Sequence, residues 1–319
     1  MNKTLSDLVV LSLFDGISCG RQALIKAKIS VARYLASEIC KDAINITQFH
    51  HPSTEQLGDV RYINGYNLRG IVNLLIGGSP CQNFSMAGRR KGMTTICQIE
   101  VTSLDQYLQL KSEGFEFEGQ SYLFWEFVRL LKEIQPKYFL LENVDMKNKK
   151  WIRVISDALG VEPIYINSKV ASGQSRPRLY WSNIPYTEIE DKEIFLGDVV
   201  LGAVTGTNRH GEKNKTGYGV KWPQGNFKYQ PDNKSYCITR GGGRYKNTQG
   251  DIKRFTAEDC ERLQTIDKGY TNVTGLCKTR RIKLIGNAWT VDVIVEAFFK
   301  NLPWSTKMKV DSRVPNLIF

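Results

Sequence analysis

Four short stretches of this chain set reactive side chains beside glycine, proline or an apolar run. Gly77-Gly78-Ser79-Pro80-Cys81-Gln82 follows the apolar run Ile71–Ile76. A cysteine on a rigid turn past a strand end can serve as a nucleophile when its thiolate is stabilised. The plainer alternative is a small buried hydrophobe, as most free cysteines are. Leu140-Leu141-Glu142-Asn143-Val144 puts a carboxylate at a second strand end, and Gln174-Ser175-Arg176-Pro177-Arg178 offers paired guanidiniums. Gly286-Asn287-Ala288-Trp289-Thr290-Val291 reads as the opening of the last helix. Singly, these are a capped turn, a solvated basic pair and a helix cap; in this order they are not a chance set.

A fifth stretch suits a nucleotide-like ligand. Phe14-Asp15-Gly16-Ile17-Ser18-Cys19-Gly20 follows the first apolar run, where glycines let backbone approach a ligand at the carboxyl edge of a parallel sheet. Glu38 ends the next strand, where a carboxylate can accept hydrogen bonds from ribose hydroxyls. A plain turn and a solvated acid are the alternatives. The spacing also fits a dinucleotide enzyme, so these residues leave the cofactor open.

The elements that must position these groups alternate. Leu8–Phe14, Ser30–Ser37, Ile71–Ile76 and Tyr138–Leu141 read as strands, and Leu179–Trp181 is strand-like. Arg21–Lys28, Lys41–Phe49, Gln120–Ile134 and Trp151–Leu159 have helical apolar spacing. Strands alternating with helices predict an α/β fold of parallel βαβ units with helices on both faces. Thr94–Gly119 reads as an insertion with one short helix. From Thr187 to Thr256 the chain turns basic, aromatic-dotted and Gly-rich, a separate small domain of loops and short strands. Thr256–Gln264 follows as a helix capped by Thr256 with Glu258-Asp259 in its first turn, and Thr290–Leu302 as a helix stopped by Pro303.

Composition excludes several classes. The 319 residues carry 44 Lys+Arg against 32 Asp+Glu, a net charge of +12, which points to a polyanionic partner. Seven scattered cysteines with no C-x-x-C pair make a poor disulfide framework. With three histidines there is no zinc-finger or H-E-x-x-H pattern, and no metal is expected. No apolar run near the start is long enough for a membrane span or a secretory signal, so a soluble cytoplasmic protein is expected.

In this order the blocks FDGISCG, SEIC, GDVRYI, GGSPCQ, LLENV, QSRPR, ERLQT and GNAW resemble the DNA (cytosine-5) methyltransferases over nearly the whole chain. Phe14 to Cys40 is also similar to the catalytic domain of animal de novo methyltransferases, and the insertion after Lys91-Gly92-Met93 to phage and prophage members. The resemblance implies a Rossmann-like S-adenosylmethionine-dependent methyltransferase fold, a mixed, mostly parallel sheet with a smaller target-recognition domain. Residues 1–186 and 283–319 would form the catalytic domain, and 187–282 the recognition domain and hinge.

It further implies that Cys81 adds to C6 of cytosine, that Glu142 hydrogen-bonds N3 and the 4-amino group, and that Arg178 binds O2 with Arg176 supporting the pocket. S-adenosylmethionine, leaving as S-adenosylhomocysteine, would be held by Phe14, Asp15, Gly16, Glu38, Ile39, Asp59, Val60, Pro80, Leu123, Asn287 and Trp289. Asp59 would accept from the adenine amino group, and Trp289 stands where much of the family has a smaller residue. The partner would be double-stranded DNA, contacted by Gln82, Ser85, Arg89, Arg90 and Lys91 in the loop after Cys81 and by Arg240, Arg244 and Lys246. A monomer is expected; a restriction partner and the recognition sequence stay open. Methylation of tRNA and an inactive DNA-binding scaffold are the competing readings. The basic Thr187–Thr256 region favours DNA over tRNA, and joint retention of Cys81, Glu142, Arg176 and Arg178 argues against a scaffold.

Overall fold

The computed structural model describes residues 7–81, 84, 92–209, 212–213, 220–221, 227–230 and 232–305. The first eight strands are β1 Val9–Leu13, β2 Arg33–Ser37, β3 Glu55–Gln56, β4 Leu74–Gly78, β5 Tyr138–Val144, β6 Ile164–Asn167, β7 Gln174–Ser175 and β8 Pro177–Ser182. All but β7 form one seven-stranded sheet in the order β3-β2-β1-β4-β5-β8-β6. Pairings from β3 to β5 are parallel, whereas β8 runs antiparallel to both β5 and β6. The chain steps outward from β1 to β3, then returns to β4 on the other side of β1. That reversal opens a crevice at the carboxyl ends of the strands, where ligands of open α/β sheets bind.

Strand residues alternate between two cores because successive side chains point to opposite faces. Val10, Ile76, Leu140 and Tyr180 belong to one; Leu11, Leu75, Leu141 and Trp181 belong to the other. The helices, in chain order, are α1 Cys19–Lys26, α2 Lys41–His50, α3 Leu104–Ser112, α4 Phe124–Ile134, α5 Lys149–Leu159, α6 Leu196–Val199, α7 Ala257–Leu263, α8 Lys278–Asn287 and α9 Val291–Ala297. Helices α1, α2 and α9 supply the first core, and α3, α4 and α5 the second. Helix α4 buries Phe124, Trp125, Phe127, Val128, Leu130 and Ile134 completely. Each such side chain contributes about 1.5–3 kcal/mol of transfer free energy.

The expected helix in Thr94–Gly119 is α3, started by the Ser103 side chain accepting from Gln106 N–H. The segment is not a surface loop. Met93, Val101, Leu104, Tyr107 and Leu110 join the second core, and buried Glu126 of α4 receives Tyr107 Oη at 2.5 Å and Lys111 Nζ at 2.6 Å. Two expectations shift. Asn287 ends α8 rather than opening a helix, and the expected Thr290–Leu302 helix is α9 plus a separate 3₁₀ turn at Phe299–Asn301. Strand β6 has no run of alternating apolar residues long enough to announce it.

The later strands are β9 Ala203–Arg209, β10 Glu212–Lys213, β11 Val220–Lys221, β12 Phe227–Tyr229, β13 Ser235–Tyr236, β14 Arg244–Asn247 and β15 Ile252–Arg254. Four make an antiparallel sheet, β12-β9-β14-β15, and β13 pairs in parallel with β7. Ile238, Phe255, Leu196, Leu263 and Ile285 form its separate core against α6, α7 and α8. The expected cap on α7 is present: Thr256 Oγ1 accepts from Asp259 N–H, and Asp259 accepts from Thr256 N–H. Among the described residues no helix is long and apolar enough to cross a membrane.

Candidate active site

A cleft of about 600 Å³ lies at the carboxyl ends of β1, β2, β4 and β5. It collects Phe14, Asp15, Gly16, Glu38, Ile39, Asp59, Val60, Pro80, Cys81, Leu123, Glu142, Arg176, Arg178, Arg240, Asn287 and Trp289. Arg244 and Lys246 lie on β14, away from it. Gln82, Ser85, Arg89, Arg90 and Lys91 lie outside the described residues.

Cys81 is reached by β4 and the Ser79-Pro80 turn, which Asn143 Nδ2 fixes by donating to Ser79 O at 3.2 Å and Ser79 Oγ at 3.0 Å. Burial and the Glu142 carboxylate push the Cys81 thiol above its ordinary value, against the pull of Arg178 and Arg176. Glu142 Oε1 meets Arg178 Nε at 2.7 Å, and both side chains are nearly buried. A Cβ on Gly78 would stand 2.9 Å from Trp289 Nε1 and 3.2 Å from Glu142 Oε2, so only glycine lets the carboxylate and the indole close on the strand end. Burial, tyrosine, thiol and carboxylate thus crowd around two guanidiniums in one low-dielectric corner, where charge interactions are strongest.

Arg176 is 3% exposed and spends its guanidinium on structure. Nη1 donates to Ile238 O at 3.0 Å and contacts Cys237 Sγ at 3.2 Å; Nη2 donates to Ala288 O at 2.8 Å and Gly286 O at 3.3 Å. A buried amide network backs it. Gln174 Nε2 donates to Leu263 O and to Gln264 Oε1, Gln264 Nε2 donates to Ala288 O and Ile285 O, and Thr290 Oγ1 donates to Gln264 Oε1. Three separated sequence blocks, around Gln174, Gln264 and Gly286, are therefore one lock on the loop that carries Trp289. Each buried polar group in it has a partner, as low-dielectric burial demands.

The Phe14–Ser18 end of the cleft is built on a left-handed turn. Phe14, Gly16 and Ser18 have φ of 55°, 57° and 57°. Glycine takes this conformation freely; Phe14 and Ser18 hold it at a cost that the surrounding bonds must offset. Asp15 supplies them: its carboxylate accepts from Tyr34 Oη at 2.9 Å and from Ser18 Oγ, inside the protein. Burial raises its pKa from 3.8 to about 6. Glu38 Oε2 accepts from Gly16 N–H, while Oε1 accepts from Ile39 and Cys40 N–H, all at 2.8 Å. An ionised carboxylate has about four acceptor sites, so Oε2 keeps one for a hydroxyl. Ile39 stands 64% exposed on the cleft rim beside Phe14, Val60 and Leu123, an apolar cradle suited to a flat ring. Asp59 is engaged by Arg61 through Nε and Nη2 and accepts from Arg61 N–H at 3.0 Å. The Arg61 bonds hold its carboxyl below the ordinary value, so an adenine amino group would share Asp59 with Arg61.

Two contributors escaped sequence reasoning. Arg61 follows Asp59-Val60 and carries no signal beyond its charge. Cys237 is one of several scattered cysteines, and nothing in its neighbourhood marks it.

Residues 8–100 and 109–159 match the family described as C-5 cytosine-specific DNA methylase. The orphan methyltransferase M.Rho11sI of Bacillus phage rho11s is 31% identical over 234 residues, 68% of this chain and 41% of that protein. The orphan methyltransferase M.SPRI of Bacillus phage SPR is 33% identical over 198 residues, 58% of this chain and 40% of that protein. The chain spans about half or less of the length of these relatives. Among solved structures, the S. pombe Dnmt2 methyltransferase aligns at TM-score 0.58 and 19% identity, covering 91% of this chain and 96% of that one. Entamoeba histolytica methyltransferase EhMeth aligns at TM-score 0.62 and 14% identity, covering 92% and 97%. The fold is thus the Rossmann-like one of these methyltransferases.

Proposed function

From the resemblance of this chain to the C-5 cytosine-specific DNA methylases, carried by residues 8–100 and 109–159, we propose that it is a DNA (cytosine-5) methyltransferase that uses S-adenosylmethionine. One observation carries the reading: Cys81 and the Glu142–Arg178 pair share a cleft with the Glu38 carboxylate and the apolar rim at Ile39. Glu38, with an acceptor site to spare, would hold the ribose hydroxyls. Phe14, Ile39, Val60 and Leu123 would enclose the adenine, and Asn287 and Trp289 the methionine end. When bound, S-adenosylmethionine supplies an electrophilic methyl group.

Cytosine C5 is a poor nucleophile. Cys81 Sγ adds to C6 of the ring as a thiolate, and the electron pair displaced from the C5–C6 bond makes C5 nucleophilic. Glu142, sharing a proton with N3, accepts from the 4-amino group, and Arg178 faces O2, so the charge pushed into the ring develops against a fixed guanidinium. After C5 has taken the methyl group its proton passes to water, the freed electron pair restores the C5–C6 double bond, and the ring expels Cys81 as a thiolate. The target base must leave the duplex to reach Cys81, at a cost of a few kcal/mol of stacking. Arg240, on the cleft lining, Arg244 and Lys246, and the Gln82, Ser85, Arg89, Arg90 and Lys91 loop would hold the DNA.

The test is bisulfite sequencing of plasmid from cells expressing the chain, beside its Cys81→Ala variant. The expected result is 5-methylcytosine in one fixed sequence context with the wild type and none with the variant. Absence of 5-methylcytosine, or methyl transfer confined to tRNA, overturns the proposal.

A further inference from the structure

We propose that Cys237 is a positioning residue of this site: its sulfur, brought between Arg176 and Arg178 by the pairing of β13 with β7, aims Arg178 at Glu142 and the pyrimidine edge. The inference rests on the methyltransferase reading above. Strand β13 pairs in parallel with β7, Ser235 with Gln174 and Tyr236 with Ser175. One further step in that register brings Cys237 level with Arg176. Ile238 N–H, donating to Gln174 Oε1 at 3.1 Å, fixes the far side. Sγ then lies 3.2 Å from Arg176 Nη1 and 3.9 Å from Arg178 Nη2. Arg178 is held at three points: Nε on Glu142, Nη1 on Pro177 O at 2.7 Å, and Nη2 toward the sulfur.

Charge balance gives the sulfur its role. Two buried guanidiniums face one carboxylate, Glu142, so the corner carries one uncompensated positive charge, an expensive state in a low-dielectric setting. A thiolate at Cys237 balances it and accepts from both arginines; a neutral thiol instead donates to Ile238 O, 3.4 Å away. Burial by itself pushes the Cys237 thiol up, but Arg176 and Arg178 outweigh it and hold it below the ordinary thiol value. The other titratable groups around the two arginines are Tyr180, Cys81 and Glu142. The residue that follows β13 thereby sets the direction of a guanidinium on β8.

The test uses the full chain with Cys237→Ala and Cys237→Ser. Covalent trapping on a duplex carrying 5-fluorocytosine, with saturating S-adenosylmethionine, is followed across pH. Cys237→Ala is expected to slow adduct formation at saturating DNA by about tenfold or more, the scale of a misaimed group. The wild-type profile should carry, beside the limb that Cys81 itself gives in all three proteins, a second limb at lower pH that is lost in both variants, and Cys237→Ser, whose hydroxyl accepts from guanidinium without ionising, should recover part of the rate. Equal rates and equal profiles, or a loss seen only in the KM for DNA, overturn the inference. If the wild type itself forms no adduct, the methyltransferase reading fails instead. Thiolate ultraviolet absorbance, wild type minus Cys237→Ser, then still decides whether this sulfur ionises: titration below the ordinary thiol range supports the inference, and titration within or above it refutes it.

Discussion

Glu142 and Arg178 are diagonal neighbours across two antiparallel strands. Glu142 faces Tyr180 in the register of β5 on β8, and Val144 faces Arg178, two residues farther along. Residues two apart on a strand share a face, and diagonal pairs are within reach of a long side chain. The 2.7 Å contact follows from that register. A slip of one residue would send the guanidinium to the opposite face of the sheet.

Removing the carboxylate leaves Arg178 buried without its partner. Glu142→Ala should cost about 3–5 kcal/mol of stability, and Glu142→Gln less, since its amide oxygen still accepts from Arg178. Glu142→Gln should nonetheless lower methyl transfer by roughly 10²–10⁴. Urea unfolding beside single-turnover methylation separates the two effects; a fully active Glu142→Gln would remove this residue from the chemistry.

The Cys81 thiol is held above its ordinary value by burial and Glu142. In the free protein its alkylation by iodoacetamide, taken as the difference between wild type and Cys81→Ser, should therefore stay slow at neutral pH and climb only above the ordinary thiol range. Rapid labelling at pH 7 would contradict this.

Asp15 gives a stability signature. Its folded-state pKa, about 6, lies above the ordinary 3.8. The folded chain therefore binds the proton more tightly than the unfolded one. The associated stability is complete below about pH 4 and declines as pH rises toward 6, by about 3 kcal/mol at 1.36 kcal/mol per unit. Asp15→Asn should lack that decline, so the wild type should lose ground to the variant between pH 4 and pH 7 in paired denaturant titrations. Parallel curves would place the Asp15 carboxylate nearer water.

Glu38→Ala frees the N–H groups of Gly16, Ile39 and Cys40 at once. Affinity for S-adenosylhomocysteine by calorimetry should fall by roughly 10- to 100-fold, the worth of one charge-assisted bond, while DNA affinity holds within a few-fold. Equal loss for both ligands would mean that the turn had collapsed.

Gly286→Ala probes the packing of α8 on the Thr239–Gly242 turn. An added Cβ would meet the Thr239 carbonyl at 2.3 Å and Arg240 N at 2.5 Å, all backbone atoms that can move only together. The variant should lose about 1–3 kcal/mol of stability to overpacking, and turnover should fall with S-adenosylhomocysteine binding retained. Unaltered turnover would show that the Thr239–Gly242 turn can shift without consequence.

Much of the site was legible in one dimension. Cys81 and Glu38 lie just past the ends of β4 and β2, and Glu142 near the end of β5, each after a readable apolar run, and a parallel sheet brings such ends to one edge. Asp15 was placed at the cleft by the same logic and Asp59 by the family resemblance alone, and the structure engages one with buried hydroxyls and the other with Arg61. Charge alone does not say which partner wins. The Thr94–Gly119 segment reads as an insertion because its apolar residues are mixed among many polar ones; in the structure Val101, Leu104, Tyr107 and Leu110 join the second core, and Tyr107 and Lys111 bond to buried Glu126.

The sequence by itself therefore determined the strand–helix alternation, the edge at which reactive groups gather, and the identity of thiol, carboxylate and guanidiniums. The tertiary structure decided which guanidinium touches which group. Arg176 and Arg178 are chemically equal and two residues apart, and only the antiparallel return of β8 and the approach of β13 give one to Glu142 and the other to backbone carbonyls. Local preferences are written in neighbouring residues; pairings between Glu142, Arg178 and Cys237 join positions dozens of residues apart, and exist only once packing has fixed the register of the strands that carry them.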